Sequence, residues 1–181
     1  EESSALSKRI KARAIAGRFD MVLDVTLGDE AKGIKALQEL TDAGYEVRLF
    51  GVTVRPETAV IRAGLRARDS KRYVPYDALL RAHRGFAGAW ETYADMADVA
   101  VLYENTDGRH KLAEKVDGNL VLHDEQAYNE FAERRNINER AETLGEIGGL
   151  GEGRAGIARQ DRGSQATAGR TEASGSTGRR D

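Results

Sequence analysis

The sequence predicts an α/β fold: a parallel sheet flanked by helices, with a C-terminal β-hairpin and helix. Three observations carry this. The runs "DMVLDVTL", "YEVRLFGVTV" and "DVAVLYEN" are short, apolar and rich in β-branched or aromatic residues, as buried strands are. Segments with apolar residues at helical spacing separate them, and strands separated by helices build parallel sheets covered on both faces. Finally, "KLAEKVDGNLVLHD" alternates about Asp117-Gly118, a strong short-range hairpin signal.

Each element has its own warrant. "SSALSKRIKARAIAGRF" opens on a Ser cap and sets Leu6, Ile10, Ala14 and Ile15 on one face of a first helix. "DMVLDVTL" follows as the first strand. "GDEAKGIKALQELTDAG" is a second helix, with acids in its first turn and Gly44 at its end. "YEVRLFGVTV" is the second strand. Pro56 then suits the first turn of a third helix, which runs into a cluster of arginines. "YDALLRAHRGFAGAWETYADMA" is a fourth helix carrying Leu79, Leu80, Phe86, Trp90 and Met96. "DVAVLYEN" is the third strand, the hairpin comes next, and "EQAYNEFAERRN" closes the domain as a helix.

Composition bounds the rest. A chain of 181 residues holds one ordinary domain with a real core and some extra. The net charge of -2 argues against a general nucleic-acid or membrane-surface role, so any basic site must be local. There is no cysteine, which excludes disulfides and thiolate metal sites and points to a reducing, cytoplasmic setting. No apolar run reaches membrane-spanning length. From Gly145 onward the composition changes: residues 145–181 hold half of the chain's 20 glycines and no aromatic residue. Such a segment buries too little apolar surface to offset the entropy of ordering it. The reading is therefore a domain at 1–144 and a disordered Gly/Ser/Arg-rich tail at 145–181, with a basic nucleic-acid-binding arm as the lesser alternative.

In open parallel α/β sheets, ligands bind at the carboxyl ends of the strands. Asp24 and Thr26 stand where the first strand runs out. A carboxylate there can hold a metal-bound water or orient a substrate hydroxyl, and the Thr hydroxyl can donate to an anion. The bland alternative is that Asp24 begins a loop and caps the next helix. A second place is "IRAGLRARDSKRYVP", where Arg62, Arg66, Arg68, Lys71 and Arg72 crowd into about three helical turns. Arg62, Arg66 and Arg72 can aim at one point, and guanidinium groups bind phosphate oxygens bidentately at every working pH. A solvated helix face is the alternative there. His83, His110 and His123 lack metal-site spacing and read as surface or packing residues. No GxxxxGK[ST] phosphate loop occurs anywhere in the sequence, and "GGLGEGR" follows no strand.

The blocks "EESSALSKRIKARAIAGRFDMVLDVTLGD", "LTDAGYEVRLFGVTVRPETAVIRAGLRARDSKRYVPYDALLRAHRGF" and "ADVAVLYEN" resemble the latter two-thirds of a zeta toxin domain, over about residues 1–136. Zeta toxins are P-loop phosphotransferases, and the best-known members are UDP-N-acetylglucosamine kinases of toxin–antitoxin systems. The resemblance implies a P-loop nucleotide-kinase-like fold that uses ATP and Mg2+ on a sugar nucleotide, with an antitoxin protein as a partner. Asp24 and Thr26 match an acid-x-Thr motif lining the metal and sugar-nucleotide side, so Asp24 is the implied metal contact. Arg62 and Arg72 match arginines that contact the ATP phosphates and the transferring group, and Arg66 is a further phosphate contact. Glu2 resembles the start of a helix that offers an acid to the substrate. Val25 stands where the family usually has Gly, and Gly28 where some members carry a substrate-binding Arg. The phosphate loop and the catalytic base are expected upstream of Glu1, which predicts an incomplete domain with weak ATP binding. The competing reading is a non-catalytic module whose basic helix binds nucleic acid or an acidic partner; a P-loop kinase for another small molecule is a third.

Overall fold

The computed structural model describes residues 2–147. In chain order these form α1 (Glu2–Ala16), α2 (Glu30–Asp42), β1 (Arg48–Thr53), α3 (Pro56–Ser70), α4 (Tyr76–Met96), β2 (Val99–Glu104), β3 (His110–Val116), β4 (Asn119–Leu122) and α5 (Glu125–Ala132). Two 3-10 turns follow, at Glu133–Asn136 and Leu144–Glu146. Among the described residues no helix is long and apolar enough to cross a membrane.

The strands make one sheet in the order β1-β2-β3-β4. The α/β class stands, but its parallel character is confined to the β1–β2 pair, because the hairpin joins the sheet instead of standing apart. β2–β3 and β3–β4 are antiparallel. The hairpin turn is Asp117-Gly118, both at positive φ (49° and 79°), the twist that two-residue hairpins favour.

Cover of β1 is one-sided where the sequence predicted two, whereas on β2 the consecutive residues Ala100, Val101 and Leu102 are all buried. On β1 the residues alternate strictly: Leu49, Gly51 and Thr53 are buried, while Phe50 and Val52 are 59% and 58% exposed. The buried face meets α4, whose Trp90 and Tyr93 are fully enclosed with Leu102 of β2, Leu112 of β3 and Phe131 of α5. Phe86, Trp90 and Phe131 pack edge-to-face, with centroids 5.7 to 6.5 Å apart. Gly51 is required under this cluster, since a Cβ there would meet Trp90 at 2.8 Å.

The predicted first strand does not form. Residues 20–28 are irregular and outside the sheet, with Val22 97% and Val25 60% exposed. Strand propensity expresses fit to a pleated, half-buried surface beside a neighbour, and no neighbour pairs with this stretch. Its ends are nevertheless pinned. Tyr45 Oη donates to the Phe19 carbonyl (3.1 Å), Tyr93 Oη donates to the Leu27 carbonyl (3.1 Å), and Gly28 lies so close to α4 that a Cβ on Gly85 would collide with its carbonyl.

A second apolar cluster joins Leu80 of α4 to Ile137, Ala141 and Ile147, with Val60 and Tyr76 packed against it. Ile147, three residues past the boundary expected at residue 144, is fully buried in this cluster. The remainder of the predicted tail, residues 148–181, lies outside the described residues.

Candidate functional site

The helix α3 carries the arginine cluster, and both of its ends are specified locally. Pro56 at the first turn has its φ already set for a helix. At the other end Lys71 adopts a left-handed conformation (φ 59°) and returns its N–H to the Ala67 carbonyl at 3.0 Å. The Ser70 hydroxyl donates to the Arg66 carbonyl (2.7 Å) and accepts from the Arg72 N–H (3.3 Å), which turns the chain sharply after the helix.

Arg62 is the one member of the cluster with fixed side-chain partners. Its two terminal nitrogens donate to the carbonyls of Asn105 (3.0 Å) and Thr106 (2.9 Å), just past the carboxyl end of β2. Both acceptors are neutral, so the guanidinium is oriented while its charge stays uncancelled. The side chains of Arg66, Arg68 and Arg72 are exposed and have no carboxylate partner among the described residues. Other arginines do: Arg55 pairs with Asp107 (2.8 Å), Arg81 with Asp77 (2.6 Å) and Arg84 with Glu139 (2.9 Å). α3 carries three arginines against Glu57 and Asp69, and with Lys71 and Arg72 after it this stretch of a chain that is acidic overall is locally basic. Its field attracts anions.

Asp24 and Thr26 lie on the irregular segment, exposed and without a hydrogen bond or ion pair among the described residues. Nothing joins them to the arginines of α3, so their predicted place at a strand end is not reproduced. Nor does Asp24 cap α2. That is done by Asp29, which accepts from the Lys32 N–H at 3.1 Å and is held below the usual carboxylate range chiefly by hydrogen bonding to Lys32. Glu2 is the first residue of α1. Among the described residues no three His, Asp or Glu side chains group as a metal site. A magnesium ion is commonly held by one or two carboxylates together with substrate phosphates, and Asp24 is an exposed carboxylate without an ion pair among the described residues.

The buried polar residues among those described, Thr53, Glu104 and Arg134, form a cluster the sequence did not reveal. Arg134, 2% exposed, donates to Thr53 Oγ1 (2.7 Å), the Val54 carbonyl (2.9 Å) and Glu104 Oε2 (2.8 Å) at the carboxyl ends of β1 and β2. The other oxygen of Glu104 accepts from the N–H groups of Asn105 (3.1 Å) and Thr106 (3.0 Å) and from the Thr106 hydroxyl. That hydroxyl also accepts from the Arg55 N–H at 2.8 Å. His83, facing this cluster from α4, has its titration pulled down to about 4 by burial first and by the Arg134 charge second, with Glu104 opposing. The only clue in the sequence is an acid ending an apolar run in "AVLYE"; Arg134, within "FAERRN", reads like a solvated helix residue.

Residues 1–125 match the family model of the zeta toxin. The chain belongs to the zeta toxin family. No curated protein and no solved structure matches it. Zeta toxins are P-loop kinase-like, so at family level this is an ATP-dependent phosphotransferase chain. The matched span takes in α3, its arginines and the end of β2 that holds Arg62. It stops nine residues before Arg134.

Proposed function

We propose that this zeta toxin chain belongs to a kinase that transfers the γ-phosphate of ATP to a hydroxyl of a sugar nucleotide, of the UDP-N-acetylglucosamine class, with magnesium. The observation that supports this most is the locally basic stretch at α3, with Arg62 already oriented by two neutral carbonyls. Charge spreads over the equatorial oxygens of a transferring phosphoryl group, and catalysis there is positioning and electrostatic stabilisation. A guanidinium held in place beforehand does this without reorganising at the moment of reaction. Arg62 and Arg72 take the transferring group and the adjacent phosphates, and Arg66 adds a phosphate contact. Asp24, Thr26 and Glu2 form the acceptor side: Asp24 orients the hydroxyl and supplies a carboxylate to the metal, which neutralises phosphate charge when bound.

A cytoplasmic setting accords with a chain free of cysteine. An antitoxin protein covering the nucleotide site is the partner this reading implies.

The test uses the full gene product with MgATP and UDP-N-acetylglucosamine. Replacing Arg62 or Arg72 by Ala lowers phosphate transfer on the order of a thousandfold, while circular dichroism shows the fold intact. Wild-type turnover in both variants would remove these residues from the mechanism. The same locally basic stretch also favours a second reading, a basic helix that binds nucleic acid. Affinity for an oligonucleotide that collapses with rising salt, in a protein that transfers no phosphate, would establish it.

A further inference from the structure

We infer that Glu104 and Arg134 are positioning residues: a buried ion pair that holds the turn after β2 and, through that turn, sets the direction of Arg62. Arg134 lies beyond the span that matches the family.

The connection is continuous and short. Arg134 ties Glu104 Oε2 to Thr53 and Val54, which fixes the carboxylate against the end of the neighbouring strand. Glu104 Oε1 then gathers the N–H groups of Asn105 and Thr106, and the Asn105 N–H also donates to the Thr53 carbonyl at 2.8 Å, so the peptide units 104–105 and 105–106 have one orientation. The carbonyl of the second unit, that of Asn105, accepts from Arg62, and the Thr106 carbonyl in the next unit is the other acceptor. The pair's location is informative in itself. An ion pair with Arg134 2% and Glu104 6% exposed brings little net stability over apolar packing, because desolvation offsets the attraction. What it supplies here is direction, since both carboxylate oxygens are occupied and each governs a different strand end. Arg62, by contrast, is exposed on a long, flexible stem that has no hydrogen-bond partner among the described residues apart from those two carbonyls. Remove the turn's orientation and no other described residue holds it.

Glu104→Gln is the diagnostic change. An amide has the shape of the carboxylate but only one acceptor oxygen, so it can satisfy either Arg134 or the turn. Thr106→Val is the milder companion: it leaves the buried pair intact and deletes the hydroxyl that links Glu104 to Arg55. Thr106→Ser restores that link. The phosphate-binding consequence rests on the proposed role of Arg62; the mechanical link does not. The test therefore has two arms on the full chain labelled with 15N.

In the first, relaxation of the Arg62 side-chain Nε signal reports order directly. We expect an order parameter near the rigid range of about 0.85 in wild type and in Thr106→Ser, falling below about 0.6 in folded Glu104→Gln and lower than wild type in Thr106→Val. An unchanged Arg62 signal in both folded variants overturns the inference, whether or not ATP binds. In the second arm, MgATP is titrated. Glu104→Gln weakens binding about tenfold, the coupling expected within one network, and has no further effect once Arg62 is Ala. Equal losses in the two backgrounds overturn the inference. If Arg62→Ala leaves MgATP affinity unaltered, the phosphate role of Arg62 fails, and the relaxation arm still decides the positioning link.

Discussion

Arg134 and Glu104 show what a charged residue costs and does when it leaves water. Each is enclosed; Arg134 also donates to Thr53 and Val54 while its Nε has no hydrogen-bond partner, and Glu104 also accepts from the turn after β2. Replacing Arg134 by Met leaves the Glu104 carboxylate buried without its cation, so we expect a loss of about 3–5 kcal/mol in denaturant unfolding. His83, next to this pair, yields a pH prediction. Folding holds its imidazole neutral down to about pH 4, whereas the unfolded chain protonates near the ordinary value of 6.5. The unfolded state thus takes up the extra proton between those limits. Stability is complete above that window and falls as pH drops through it, by up to about 1.4 kcal/mol per pH unit. Urea unfolding of wild type and His83→Gln between pH 7 and 4 checks this, and the variant should show the shallower dependence. None of this was legible in "RAHRGF" or "AERRN". A histidine between two arginines, and an arginine on a polar helix, look solvated until distant elements close over them.

At the level of elements, α3 and the segment before α2 make opposite cases. α3 was readable because its signals are local: a proline at its start, arginines at helical spacing and a breaking sequence after Ser70. What only the structure supplies is the left-handed Lys71. A side chain costs roughly 1–2 kcal/mol there and glycine almost nothing. Lys71→Gly should therefore raise the unfolding free energy by about 1 kcal/mol, whereas a β-branched Lys71→Val should lower it. The segment 20–28 was misread for a reason that is equally physical. "DMVLDVTL" has the composition of a strand, but a strand exists only as part of a ladder, and whether a ladder is available is not a property of eight residues. With that strand goes the inference that Asp24 and Thr26 sit at a carboxyl strand end. Their proposed part in the chemistry rests on the resemblance to the family, not on sheet geometry.

For the described residues as a whole, the sheet is enclosed at its centre, in β2 and β3, and open on one face at β1. The strict alternation along β1 predicts that Phe50→Ser shifts stability by no more than about 0.5 kcal/mol, despite removing a large aromatic. Leu102→Ala, on the enclosed face of the adjoining strand, should cost about 2–5 kcal/mol by leaving a cavity under Trp90. Comparable losses in the two variants would mean that the Phe50 face is covered in solution. By itself the sequence determined the α/β class, most helices, the hairpin and membership of the zeta toxin family. These follow from periodicity, turn chemistry and the arginine-rich block, all of which reside in contiguous residues. Only the tertiary structure decided the mixed sheet, the uncovered face of β1, the burial of Ile147 and the buried Arg134–Glu104 brace behind Arg62. Those depend on residues far apart in the chain becoming neighbours, and hydrogen bonding and desolvation act between neighbours in space.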